Sequence, residues 1–226
     1  MQLIYMTFHF HLNISLIFYC DIIKVMKGID IMPKNELLKK FATLAVETGA
    51  NVQKGQLVGV NAPTDAKELA REIVAAAYKA GAKRVVVNWT DAYVGRSNYD
   101  GMTVEELVNI PQWSIDRLKS FIKEDGCIIS ITSPIPGVNK GVDPMKMQKA
   151  GIASSKAFDF YRNHMMGNHS QWSIVACPNQ VWAEKVFPDL KGDEAVEALW
   201  NAILQASRVT ETNDPVEEWA KHNESL

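Results

Sequence analysis

One stretch of the chain, residues 54–89, predicts a strand, a helix and a second strand in close succession. Residues 57–61 form a short apolar run, and residues 84–89 (RVVVNW) have the β-branched composition of a buried strand. Between them, apolar residues recur at helical spacing, and Gly81 stands where a helix would end in a left-handed residue. A unit of this length implies a right-handed parallel crossover between its strands.

The turn after the first of these strands limits which class of ligand could bind there. It contains neither GxGxxG nor the P-loop motif, so the sequence argues against nucleotide binding there. Thr64 or Asp65 is placed to cap the following helix. The negative charge of Asp65 is also unfavourable at a position where a phosphate would need positive potential.

The remaining chain continues the alternation of strands and helices. Apolar runs at 127–132 and 171–176 predict two further strands, and residues 93–101 read as a polar loop. Helical patterns are found at 35–48, 103–108, 111–125, 143–165, 181–186 and 193–208, and again from 214. Three of these helices begin at a capping signal: a Thr103–Glu106 capping box, Asp143 and Asp214. This order predicts an α/β domain with a mostly parallel sheet and flanking helices.

Composition limits the partners and the compartment. The formal net charge of -2 gives no global indication of nucleic-acid or membrane binding. Cys20, Cys127 and Cys177 are odd in number and far apart, so we expect free, buried thiols and a cytoplasmic protein. The tryptophans are expected to be core or interface anchors, with an apolar patch around Trp182, Trp200 and an exposed Trp219.

The first 31 residues differ from everything after them. They are rich in Ile, Phe, Leu and Tyr, and they lack the basic start and cleavage site of a signal peptide. Met32 is followed by Pro33 and an amphipathic helix, so we expect residues 1–31 to be a non-native extension and residues 32–226 to be the domain. The alternative is a membrane-surface anchor, although the segment lacks the cationic face of such helices.

Motifs that carry chemistry are absent from the sequence. There is no HExxH and no Gly-x-Ser-x-Gly, and His164 and His169 are five residues apart, so they cannot share a helical face as i, i+4 ligands do. No catalytic or metal-binding residue is therefore assigned. Asp91 and Arg96 follow a predicted strand end and are the best candidates for the rim of a ligand site, the alternative being an ordinary solvated loop.

Several segments together resemble one enzyme family. They are KGQLVGVNAP (54–63), AYKAGAKRVVVNWTD (77–91) with Arg96 beyond it, PQW (111–113), KGVD (140–143), QWSIVACPNQVWAEKVFP (171–188), the Leu199-Trp200 helix and DPVEEWAKH (214–222). In this order, from Met32 to Leu226, they resemble the N-terminal half of the aminopeptidase T/S/PepS family of metallo-aminopeptidases. The resemblance implies a cytoplasmic exopeptidase that removes N-terminal residues from peptide substrates.

The resemblance also implies what lies elsewhere in the enzyme. In the family, two divalent ions, zinc or cobalt, activate a water and polarise the scissile carbonyl, and a C-terminal domain supplies their ligands. No position here matches a ligand motif, so none is carried over. We expect a chain that lacks the metal-binding domain, binds no catalytic metal and is inactive alone, and that contributes to a homodimer enclosing the active-site cavity. The alternative is a stand-alone α/β domain that binds peptides or small molecules without catalysis.

Overall fold

The computed structural model describes residues 34–225 and contains a four-stranded sheet flanked by helices. The strands are β1 (Leu57–Pro63), β2 (Arg84–Thr90), β3 (Cys127–Thr132) and β4 (Trp172–Ala176), in the order β2-β1-β3-β4. All three strand pairs are parallel, which confirms the predicted fold class.

The helices fill the connections between strands and the C-terminal part of the described chain. They are α1 (Lys34–Leu44), α2 (Lys67–Lys79), α3 (Ala92–Gly101), α4 (Val104–Val108), α5 (Gln112–Lys123), α6 (Pro144–Ala157), α7 (Asp159–Met166), α8 (Gln180–Val186), α9 (Gly192–Ala206) and α10 (Pro215–Glu224). A π-helical turn (Ala45–Gly49) extends α1, and a 3-10 turn (Thr64–Ala66) precedes α2. Over residues 34–225, no helix has the length and apolar character needed to cross a membrane. The predicted extension at residues 1–31 lies outside the described residues.

One face of the sheet, called here the core face, carries most of the buried apolar side chains. Val58 of β1 and Ile129 of β3 are fully buried on it, because alternate residues of a strand share a face. Ile73 of α2 is fully buried in the same cluster. Phe41 of α1 and Trp200 of α9 meet edge to face with ring centroids 6.3 Å apart. Helices α1, α2 and α9 thus close this face.

The opposite face, called here the open face, is only partly covered. A Cβ added to Gly59 of β1 would lie 3.0 Å from the Phe121 ring, and one added to Gly126 would lie 2.4 Å from it. Helix α5 can therefore lie directly on the centre of the sheet only because these two positions have no side chain. Val86 on β2 and Ile174 on β4 remain 41% and 45% exposed, so the two outer strands are accessible on this face.

Local sequence signals predicted most helix ends. The Thr103–Glu106 capping box is present, and Asp143 and Asp214 cap α6 and α10 through the backbone N–H groups two residues on. Gly81 follows α2 with a φ of 97°, which confirms the predicted left-handed residue.

Two local predictions are wrong. Residues 93–101, predicted as a polar loop, belong to helix α3, because Asp91 supplies its N-cap. Neither Thr64 nor Asp65 caps α2, which begins without a side-chain cap after the 3-10 turn. The Thr64 hydroxyl donates to Asp91 instead, at 3.1 Å.

The structure divides the tryptophans between the core and the surface. Trp200 is buried in the core, whereas Trp89 and Trp113 are 49% and 70% exposed, so for these two the expected role as interface anchors stays a prediction. Trp219, predicted to be exposed, is half-buried and donates from Nε1 to the Ser207 carbonyl at 2.9 Å. Of the three tryptophans of the expected apolar patch, Trp200 is therefore buried and Trp182 and Trp219 are half-buried.

A single ammonium group holds the connection between α9 and α10. Lys40 of α1 donates from Nζ to the carbonyl oxygens of Thr210, Glu211 and Asn213, at 2.9, 2.6 and 2.7 Å. These three bonds use all three donors of the lysine. Because hydrogen bonds from an ionised donor are stronger than neutral ones, this contact fixes the C-terminal helix to α1.

We expect Lys40→Met to lower the free energy of unfolding by about 2 kcal/mol, because three carbonyl oxygens lose a charged donor. Urea denaturation measures the change, and limited proteolysis should show new cleavage within residues 208–214. Lys39→Met is the matched control, since Lys39 makes only an exposed ion pair with Glu36. An equal effect of the two substitutions would contradict the role given to Lys40.

Candidate functional site

The candidate site lies at the carboxyl ends of β1 and β3. The chain adds β2 on one side of β1 and β3 on the other, so the direction of strand addition reverses between β1 and β3. Open α/β sheets bind ligands in the crevice outside such a reversal point. In this chain the crevice is lined by residues that follow β1, β2 and β3, among them Thr64, Asp91 and Ser133.

Asp91 connects two of these strand ends. Its carboxylate accepts from the backbone N–H groups of Tyr93 and Val94 at 2.8 and 3.1 Å, and from the Thr64 hydroxyl at 3.1 Å. The bonds from Val94 and Tyr93 hold the pKa of Asp91 below its usual value. The aspartate is therefore ionised at neutral pH and joins the end of β1 to the start of α3.

Arg96 lies one turn further along α3 and faces a loop. Its Nη1 donates to the carbonyl oxygens of Val138 and Lys140 at 3.1 and 2.7 Å, and its Nε donates to Asp100 at 2.9 Å. Lys146 of α6 donates to the Tyr99 carbonyl in the same region. The two predicted rim residues thus lie on the same helix, Asp91 at its N-cap and Arg96 one turn further along, and both form hydrogen bonds within the protein.

The crevice itself is small. Its cavity volume is about 30 Å³, roughly the space of one water molecule. Asn179 closes one side by donating to Ser133 Oγ and to the Pro134 carbonyl, at 2.9 and 2.8 Å, while its Oδ1 caps α8. The ends of β3 and β4 are therefore tied together above the sheet.

A row of polar side chains crosses the open face just below the crevice. Asn61 of β1 pairs in register with Asn88 of β2 and Ser130 of β3. Asn88 Nδ2 donates to Asn61 Oδ1 at 3.1 Å, and Asn61 Nδ2 donates to Ser130 Oγ at 3.2 Å. Arg117 of α5 donates to Asn88 Oδ1. We call Arg117, Asn88, Asn61 and Ser130 the polar row.

Sequence reasoning missed the polar row as a unit. Asn61 and Asn88 are each the fifth residue of a seven-residue strand, and this shared position was the available signal. Ser130 and Arg117 carried no such signal, because their proximity depends on strand register and on the placement of α5.

The histidines come closer than their spacing suggested. His164 near the end of α7 and His169 beyond it have ring centroids 5.4 Å apart, because Asn168 adopts a φ of 55° and reverses the chain. His164 Nε2 is also 2.8 Å from Ser170 Oγ. Across residues 34–225, however, no group of three or more His, Cys, Asp or Glu side chains could hold a metal ion.

A larger hollow lies away from the strand ends. It has a volume of about 630 Å³ along α6 and α7 and is lined by Ile152, Lys156, Asp159 and Arg162 among others. It is an open surface groove in which Arg162 and Asp159 already pair with each other. We therefore place the candidate site at the strand ends and the polar row beneath them.

Comparison with known proteins assigns the chain to a family. A family model described as thermophilic metalloprotease (M29) matches residues 34–226. Aminopeptidase AmpS of Bacillus subtilis is 38% identical over 192 residues, which cover 85% of this chain and 47% of the relative. Aminopeptidase T of Thermus thermophilus is 31% identical over 189 residues, with 84% and 46% covered.

A solved structure agrees with the sequence relatives. The structure of wild-type AmpT from Thermus thermophilus matches with a TM-score of 0.77 and 29% identity, covering 85% of this chain and 47% of that one. The chain thus spans about half the length of the relatives it matches. The family match, which includes every described residue, is extensive enough to state that this chain belongs to the thermophilic metalloprotease (M29) family.

Proposed function

We propose that this chain is the N-terminal α/β portion of a metal-dependent aminopeptidase, an enzyme that hydrolyses N-terminal residues from peptides. The observation that carries the proposal is the match to proteins named aminopeptidases along 84–85% of this chain and only 46–47% of their own length. The activity then belongs to the whole enzyme, in which this portion supplies structure around the site.

The metal ions implied by the family do not fit the residues described here. A dinuclear centre requires several carboxylate or imidazole ligands around two ions. Across residues 34–225, no group of three or more His, Cys, Asp or Glu side chains could hold a metal ion, and the neighbouring His164 and His169 have no third ligand beside them. We propose that two divalent ions, zinc or cobalt, are bound in the half of the relatives' length that this chain does not span.

The role proposed for this portion is to shape the peptide-binding cavity and to contribute to a homodimer. Trp113 at the start of α5 and Trp89 at the end of β2 are 70% and 49% exposed, and large exposed aromatic side chains suit an interface. Asp91 and Arg96 are proposed as the rim of the cavity, where they set the positions of α3 and the loop at 138–140.

The proposed compartment is the cytoplasm. Burial raises the pKa of the Cys127 thiol to about 11, so this cysteine is unreactive at neutral pH. Cys177 is also buried. Buried thiols of this kind suit a reducing environment, in which disulfides are rare.

The first test concerns activity. The chain alone, purified from a host that lacks a family member, should hydrolyse leucine p-nitroanilide no faster than buffer, with or without added zinc or cobalt. Co-expression with the C-terminal half of a relative should give release that a chelator abolishes, because the metal ligands are then present. Chelator-sensitive hydrolysis by the chain alone would contradict the proposal, as would an inactive complex in which the two halves are shown to bind.

The second test concerns metal binding by the chain alone. Calorimetry with zinc or cobalt should show no pair of ions bound at micromolar affinity, because the described residues offer no cluster of ligands. A metal ion bound more weakly by the neighbouring His164 and His169 would be recognised by the variant His164→Ala, which should abolish that weak binding. Two tightly bound ions that persist in this variant would show that the ligands lie within this chain.

The third test concerns Asp91. Its lowered pKa means that the ionised carboxylate stabilises the fold above the usual aspartate pKa, and that this contribution is lost as pH falls through the folded value. Asp91→Ala should therefore lower the thermal midpoint at neutral pH, and the difference from the unmodified chain should narrow below about pH 4. Asp65→Ala is the control, since its exposed carboxylate caps no helix. If the thermal midpoints of Asp91→Ala and the unmodified chain differ by the same amount at every pH, the ionised Asp91 carboxylate does not stabilise the fold as a helix cap.

A further inference from the structure

Arg117 determines the direction of every hydrogen bond in the polar row. A guanidinium has donors and no acceptor, so Asn88 must present its amide oxygen to Arg117. The Asn88 amide nitrogen then faces Asn61, which must present its own oxygen, and the Asn61 nitrogen in turn faces Ser130. The row is therefore a chain of donors that begins at a positive charge and ends at a hydroxyl.

The hydrogen-bonding capacity left in the row belongs mainly to donors. Ser130 Oγ accepts from Asn61, and it donates in none of the hydrogen bonds found among residues 34–225, so its own hydrogen is available. Arg117 keeps N–H groups beyond the one bound to Asn88. Successive hydrogen bonds polarise one another, which makes the terminal donor stronger.

Two half-buried aromatic side chains lie on elements next to the row, Tyr161 on α7 and Trp172 on β4. Burial raises the pKa of the Tyr161 phenol, and the charge of Arg117 opposes this effect only in part. The phenol is therefore neutral and keeps its O–H donor. Trp172, on the open face of β4, has an indole N–H that is buried without a partner among the described residues. Because this nitrogen is not exposed, it is not counted among the donors that a ligand at the row could reach.

The row is accessible and is bordered by apolar side chains. Asn61, Asn88 and Ser130 are half-buried, and Arg117 is exposed. Val86 precedes Asn88 by two residues on β2, and Ile174 pairs with Ser130 across β3 and β4. Both apolar side chains are more than two-fifths exposed on the same face. A ligand at the row would thus meet donors at its polar end and aliphatic surface beside it.

From this arrangement we propose that the polar row binds the terminal carboxylate of a short peptide, with Arg117 as the cation that pairs with it. A carboxylate offers only acceptors, and its planar shape matches the guanidinium fork. The row also lies beside the reversal point between β1 and β3, where parallel sheets bind ligands. The proposal rests on the aminopeptidase function proposed above and adds a subsite for the peptide end that is not cleaved.

The test is binding of a dipeptide to the chain, followed by NMR of the side-chain amide groups of Asn61 and Asn88. Leucyl-glycine with a free carboxylate should shift both amide resonances, and leucyl-glycinamide should bind at least tenfold more weakly. Inorganic phosphate distinguishes a peptide site from a general anion site. Equal binding of the acid and the amide would overturn the proposal, and so would binding of phosphate without binding of the dipeptide.

Variants test whether Arg117 is the group responsible. Arg117→Met should weaken leucyl-glycine binding at least tenfold, and Arg117→Lys, which keeps the charge but loses the planar fork, should lie between it and the unmodified chain. Arg71→Met is the matched control, because Arg71 is an exposed arginine of α2 on the other side of the sheet. Thermal unfolding establishes that each variant is folded. An unchanged affinity in folded Arg117→Met would refute the assignment.

The test of the carboxylate site gives a result that is independent of the test of the aminopeptidase proposal. The dipeptide remains intact in the binding experiment, so the result depends neither on metal nor on turnover, and the same spectra report its integrity. Binding by the row together with an inactive complex of the two halves would refute the aminopeptidase proposal and leave the carboxylate site in place. An active complex of the two halves, together with no binding of the dipeptide to the polar row, would refute the carboxylate site and support the aminopeptidase proposal.

Discussion

The central strand β1 is hydrogen-bonded along both edges, and the rest of the domain takes its position from this pairing. Its register with β2 and β3 sets Asn61 between Asn88 and Ser130 on the open face, and it sets Val58 between Val85 and Cys127 on the core face. Gly59, between Val58 and Asn61 in sequence, allows the Phe121 ring to lie against the sheet. Helix α5 is thereby held where Arg117 can reach Asn88, so one strand links the core to the polar row.

The polar groups of this domain divide into two layers with different roles. At the carboxyl ends of the strands, Asp91, Arg96 and Asn179 use their hydrogen bonds for helix caps and loop carbonyls. The crevice lined by Asp91 and Ser133 has a volume of only about 30 Å³. One layer below, the polar row retains donors and is open at both outer strands. Preorganised donors of this kind suit recognition of an anion, whereas the metal-assisted cleavage proposed for the whole enzyme needs ligands that residues 34–225 do not supply.

Local patterns predicted the strands well, and they predicted helix ends where a cap forms within a few residues. Helix α3 was missed because its sequence has no clear apolar stripe, and its stability comes from the Asp91 cap and from bonds between Arg96 and carbonyl groups 42 and 44 residues away. The same limit applies to Trp113 and Trp219, since the exposure of a side chain depends on which element packs over it. At the candidate site, Asp91 and Arg96 were predicted to form a ligand rim, which stays a prediction, and their hydrogen bonds within the protein were not foreseen.

The sequence by itself determined the α/β class, the succession of parallel strands and the resemblance to the N-terminal half of a metallo-aminopeptidase, because these follow from periodicity, turn residues and ordered motifs. Only the tertiary structure decided the strand order, the role of Lys40 at the C-terminal helix and the assembly of the polar row. Each of these joins residues distant in the chain through strand register or helix packing. Hydrogen-bond direction in particular was fixed only once a donor-only guanidinium was placed beside Asn88.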